Sequence, residues 1–169
     1  MMMRILGSID RVIGFLCKYL SIAMLVALFI LLGLSIILRL VPLFTISGYD
    51  EVVEFLFIWI IVLTTVALWR EGGLYRVSLF ENLLPQAGQL VLSVIINLAM
   101  LGFALMLAWY GWQFAANAGE TTPFLRMNKV YWHAALPVGG ILMSIYSVVW
   151  LWRVVAERRT LAQDNNLIG

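Results

Sequence analysis

The sequence predicts an all-α integral membrane protein of four transmembrane helices, with both termini on the cytoplasmic side. Three observations predict it. Of the 169 residues, 63% are hydrophobic and 12% charged, whereas a soluble domain is about 45–50% apolar and about 25% charged. So sparse a set of charges cannot cover a water-facing surface. The apolar residues also gather into four runs, each near the roughly 20 residues a helix needs to cross the hydrocarbon core. Finally, Lys and Arg are distributed unequally between alternate flanks of these runs, which sets orientation.

The first run, Tyr19 to Leu38, carries no charge and ends at Arg39. It exceeds the about 7–15 residue apolar region of a secretory signal and lacks a small-residue cleavage pattern, so an uncleaved helix is expected. The second run is Val52 to Trp69, with Glu54 near its start. The third is Leu90 to Phe114, inside a stretch free of acids and bases between Glu81 and Glu120. The fourth is Tyr131 to Trp152, holding the single histidine, His133. All 169 residues therefore form one four-helix membrane domain.

Counting Lys and Arg fixes the sides. The N-terminal tail, the link between runs two and three and the C-terminal tail hold eight; the other two links hold Arg39, Arg126 and Lys129. The larger share belongs inside. Trp109, Tyr110, Trp112, Tyr131 and Trp132 then form an outer aromatic belt, and Trp69, Trp150 and Trp152 an inner one. In the inner link, Leu74, Val77, Phe80 and Leu84 recur at helical spacing before Pro85. They predict a short amphipathic helix lying on the membrane surface.

Net charge is +2 without a basic cluster, which argues against a nucleic-acid partner. The lone Cys17, beside Lys18, excludes an intrachain disulfide and a Cys-based metal cluster; it is expected to be an inert thiol at the membrane interface. No nucleotide-loop, hydrolase-elbow or zinc-protease pattern occurs.

Polar residues inside spans are where function is sought. Asp50, Glu51 and Glu54 open the second span. Ser47 and Asp50 have capping-box-like spacing, and acids suit the positive end of a helix. Capping accounts for Asp50 and Glu51; Glu54, one turn deeper, is read either as an anchor or as an ion or partner contact, with Arg39 as a possible ion-pair partner. Trp59 lies about 12 Å beyond Glu51 along a helix, too deep for a belt residue, and is expected to pack on another helix. Pro137 removes the amide that would bond the carbonyl of His133. Gly139 and Gly140 permit close helix approach, and Asn97 is expected to hydrogen-bond across helices. His133 is read as part of a kinked packing site, with a proton relay as the alternative.

Three local patterns resemble the small membrane subunit, DctQ-type, of the tripartite ATP-independent periplasmic (TRAP) transporters. They are Gly48-Tyr49-Asp50-Glu51 followed by Trp59, the stretch Arg70 to Ser78, and Ala134-Ala135-Leu136-Pro137-Val138-Gly139 after Thr121-Thr122-Pro123. Tyr75, Ser78 and Asn128 depart from the usual histidine, aspartate and proline. The resemblance implies a subunit of a sodium-driven importer of organic acids in a bacterial inner membrane. The sodium and substrate sites would lie in a large multi-span partner, so no cofactor is expected in this chain. A periplasmic binding protein would deliver substrate. The stretch Ala134 to Met143 leans towards sialic-acid-type over C4-dicarboxylate members. Asp50, Glu51, Glu54, Trp59, Pro137, Gly139 and Gly140 are candidate partner-interface or structural residues, and Arg126 and Lys129 candidate contacts for the binding protein. Two other readings stay open: a respiratory membrane anchor using His133 as a haem ligand, and a small homo-oligomeric exporter or channel using Glu54.

Overall fold

In a computed structural model, residues 2–40, 47–72 and 86–157 are described. The amphipathic helix expected over Leu74, Val77, Phe80 and Leu84 lies outside the described residues, as do Tyr75, Ser78 and the side chain of Arg39. The helices are α1 (Met2–Leu40), α2 (Tyr49–Arg70), α3 (Gln86–Ala116), α4 (Val130–His133) and α5 (Ala135–Glu157). Among the described residues, four stretches are long and apolar enough to span a membrane: Asp10–Leu38, Tyr49–Arg70, Val91–Ala116 and Val130–Trp152.

The helix that holds the first apolar run therefore begins well before Tyr19. A helix ladder is made by the backbone alone, so Lys18 and Arg11 are carried along the exposed side of α1 without interrupting it. The second span has a different start from the one expected. Gly48, at φ 85°, is the N-cap and no side chain caps α2; the carbonyl of Gly48 receives the amides of Glu51 and Val52 at 3.2 and 3.4 Å. The Ser47–Asp50 spacing is thus not used as a capping box. At the other end Gly72, at φ 68°, lets the chain turn away while its amide bonds the Trp69 carbonyl at 3.2 Å.

Pro137 divides the fourth span. With no amide to give to His133, the ladder breaks at Ala134, leaving α4 and α5 as two consecutive pieces. The amide of Ala134 still reaches the Val130 carbonyl at 2.8 Å.

The helices pack in the spatial order α1, α2, α5, α3, with α3–α5 the most extensive pairing. Small residues explain that pairing. A Cβ on Gly140 would lie 2.5 Å from the Ala108 nitrogen and 2.9 Å from the Ala104 carbonyl oxygen, so the two backbones touch there. Ala104, Ala108, Gly111 and Ala115 recur on one face of α3, a small-residue seam of the kind that lets helices approach when lipid supplies no hydrophobic drive. Val66, Ala104 and Met143 fill the centre of the packing, with Cys17 and Trp69 beside them. Cys17 is thus buried in the packing of the helices. Phe29, Ile30 and Ile145, by contrast, are exposed, as lipid-facing residues should be.

Gly140→Val should lower the unfolding midpoint in detergent by an amount equivalent to about 1–3 kcal/mol, because backbone cannot retreat from the new side chain. Gly102→Ala, where nothing lies within 4 Å, should leave the midpoint within error.

Candidate functional site

A connected polar assembly lies at the end of the packing where α2 begins. Residues 117–129 fold into a compact loop. Thr121 and Asn128 form an antiparallel bridge, the Thr122 amide bonds the Met127 carbonyl at 2.8 Å, and the Lys129 amide bonds the Glu120 carbonyl at 3.0 Å. The Thr122 hydroxyl receives the Met127 amide at 3.1 Å. Arg126 takes a positive φ of 52° to close the turn.

Glu51 holds this loop. Its carboxylate accepts the Phe124 amide on Oε1 at 2.8 Å and the Leu125 amide on Oε2 at 2.9 Å. Its carbonyl accepts Trp132 Nε1 at 3.2 Å. Gly48 allows the approach, since a Cβ there would sit 3.0 Å from Cβ of Phe124. Glu51 is 7% exposed, and two charge-assisted bonds to backbone compensate for that burial. The capping role expected of Glu51 is therefore replaced by a clamp between segments 73 residues apart.

Asp50 and Glu54 do not join it. At 100° per residue Asp50 points about 100° and Glu54 about 60° around α2 from Glu51, far enough that both are exposed; they make no hydrogen bond or ion pair among the described residues. Lys129 is ion-paired with Glu120 at 3.2 Å, and Arg126 is exposed at the loop tip.

Trp59 is seated inside this chain. Its Nε1 donates to the Tyr131 carbonyl at 3.2 Å, and Phe55 lies between Trp59 and Trp132 at ring distances of 6.1 and 5.1 Å. Gly139 abuts Val62 of α2, while Gly140 meets α3; the pair serves two neighbours at once. Pro137 packs over Gly111. His133 places its ring 4.4 Å from that of Phe114, edge to face. Asn97 is buried, and among the described residues its Oδ1 has no hydrogen-bond partner. A groove of about 190 Å³ beside the Pro137 break is lined by apolar side chains including Trp112, Val138 and Ile141. Among the described residues, no group of three or more His, Cys, Asp or Glu could hold a metal ion.

At the far end of α2, Arg70 grips Asp10 of α1 through Nε–Oδ1 and Nη2–Oδ2 bonds, both 2.8 Å. Trp69 Nε1 donates to Ser147 Oγ at 2.9 Å, tying α2 to α5. Sequence reasoning missed Asp10. The available signal was its being the sole acid before Asp50, at the same end of an antiparallel pair as Arg70.

Residues 28–157 match the family model of the DctQ component of the tripartite ATP-independent periplasmic transporters. The chain belongs to the DctQ family. A Haemophilus influenzae protein named as a TRAP transporter small permease protein is 30% identical over 145 residues, covering 85% of this chain and 88% of the relative. As a DctQ-family member, the chain is a small permease subunit and a multi-pass membrane protein. The DctQ match includes Glu51 and its loop but begins after Asp10, so the ion pair at the far end straddles its boundary.

Glu51→Ala should speed amide exchange at Phe124 and Leu125 and cost about 1.5–3 kcal/mol in stability, the range for hydrogen bonds to a charged group. Glu51→Gln, which keeps one acceptor, should fall between Ala and wild type. In a double-mutant cycle, Asp10→Asn and Arg70→Gln should prove non-additive by about 0.5–3 kcal/mol.

Proposed function

We propose that this subunit braces the large membrane subunit of a TRAP transporter while that partner imports an organic acid, of sialic-acid or C4-dicarboxylate type, with sodium. A periplasmic binding protein delivers the substrate. The subunit sits in a bacterial inner membrane with both termini in the cytoplasm, which places the Glu51-held loop outside and the Asp10–Arg70 pair inside.

One observation carries the bracing role. The packing centre is filled by Val66, Ala104 and Met143, and the serines within it are engaged locally: Ser21 and Ser144 bond the carbonyls of Cys17 and Gly140, each at 2.7 Å, and Ser147 receives Trp69. Among the described residues the buried side-chain atoms left without a hydrogen-bond partner are Asn97 Oδ1 and Tyr146 Oη, too few to coordinate a hydrophilic cargo. Polar side chains that join neighbouring helices, with a small-residue seam between, suit a part that must keep its shape while another moves. The loop supports a docking role towards the binding protein. It is rigidly held, and Arg126 projects from it beside the Lys129–Glu120 pair.

Purification from native membranes in mild detergent should yield a larger multi-span protein in one-to-one ratio. Vesicles holding this chain alone should accumulate no organic anion, whereas the complete set should do so under a sodium gradient. Transport by the isolated chain would overturn the proposal. In the complete system, Arg126→Glu with Lys129→Glu should slow uptake by roughly tenfold through loss of electrostatic steering, and unchanged uptake would remove the loop from the docking role.

A further inference from the structure

Between Tyr49 and Arg70, the exposed residues of α2 are Asp50, Glu54, Phe57, Ile61, Thr64 and Leu68. Their spacing alternates four and three residues, a mean period of 3.6, so they form one continuous stripe along the helix. The rest of α2 is wholly or partly covered by its own chain, so this narrow stripe is its single open face.

Its chemistry does not suit lipid. Asp50 and Glu54 are one turn apart on the same face, and Glu54 lies about 7.5 Å into the helix from Tyr49. Acids at such depth are found facing protein or water and paired. Thr64 adds a polar group about two-thirds of the way along α2. The open face of α5 makes the contrast. Val138, Ile141, Ile145, Val148 and Trp152 repeat at similar spacing there, with no charge among them, as lipid accepts.

Resting on the proposed role as a bracing subunit, we infer that the Asp50–Leu68 stripe of α2 is the seam that receives a transmembrane helix of the large partner subunit. That helix sets apolar side chains against Phe57, Ile61 and Leu68, and an Arg or Lys at the level of Glu54. Charge selects this occupant. A second copy of the chain docked in parallel would set Glu54 against Glu54, and a lipid tail would leave both carboxylates unpaired.

The test uses the complex as co-expressed with its partner. A benzophenone amino acid replaces Phe57, Ile61 or Leu68 in turn, with Phe29 of α1 and Ile145 of α5 as controls. Irradiation should join the large subunit to the chain from the three stripe positions about tenfold more than from the controls. Equal yields, adducts of the chain with itself, or no stripe adducts in a complex that still co-purifies would overturn the seam. Glu54→Arg should reduce co-purified partner by about tenfold or more, and a partner Arg or Lys changed to Glu should restore it. Restoration by Arg39→Glu within this chain would instead assign Glu54 an internal partner and sink the inference. If the unaltered chain recovers no large subunit, the bracing role fails; if it does and the stripe is silent, only the seam fails.

Discussion

Inside a bilayer a polar group finds no water, so each one must be matched by protein or kept out of the hydrocarbon. That constraint governs where this chain's few polar side chains sit. Glu51 is turned inward and saturated by two amides. Arg70 and Asp10 meet in a two-pronged contact at the opposite end. Between these ends, where lipid gives helices no hydrophobic reason to associate, the contact passes to Gly140, Ala104 and Ala108. Polar clasps at two levels with close backbone contact between them describe a stiff layer.

Stiffness of this kind fits a component whose partner does the moving. The aromatic group of Phe55, Trp59 and Trp132 links the start of α2 to the short α4, and the break at Pro137 is backed by Gly111. A helix interruption that would otherwise be a hinge is thereby packed on one side. The one face of α2 left open carries acids, and on the seam proposed above it is another protein that finishes the layer.

The four spans were legible because lipid imposes a long, uniform apolar signal, and the proline break could be placed because it follows from a missing amide. The ends of elements were less so. Tyr19 marks where charges stop, whereas α1 starts where the backbone ladder starts. Glu51 resembled a cap because its position in the first turn is a local fact, while its ligands at Phe124 and Leu125 are 73 and 74 residues away. Trp59 could be assigned to packing from depth alone, yet its acceptor, a backbone carbonyl, has no side-chain signature. The Ala104–Ala115 seam was present in the letters, but alanine is too common in helices to be noticed without its opposing glycine.

The clasps also differ in the order in which a growing chain can close them. Asp10 and Arg70 are separated by 60 residues, so the first two helices can latch as a hairpin as soon as both have left the ribosome. Glu51 must wait until Phe124 has been synthesised, after the whole of α3. During that interval a bare acid stands at the head of an inserted helix with no ligand of its own. The Asp10–Arg70 clasp can therefore close first and the Glu51 clamp only once the loop after α3 has been made.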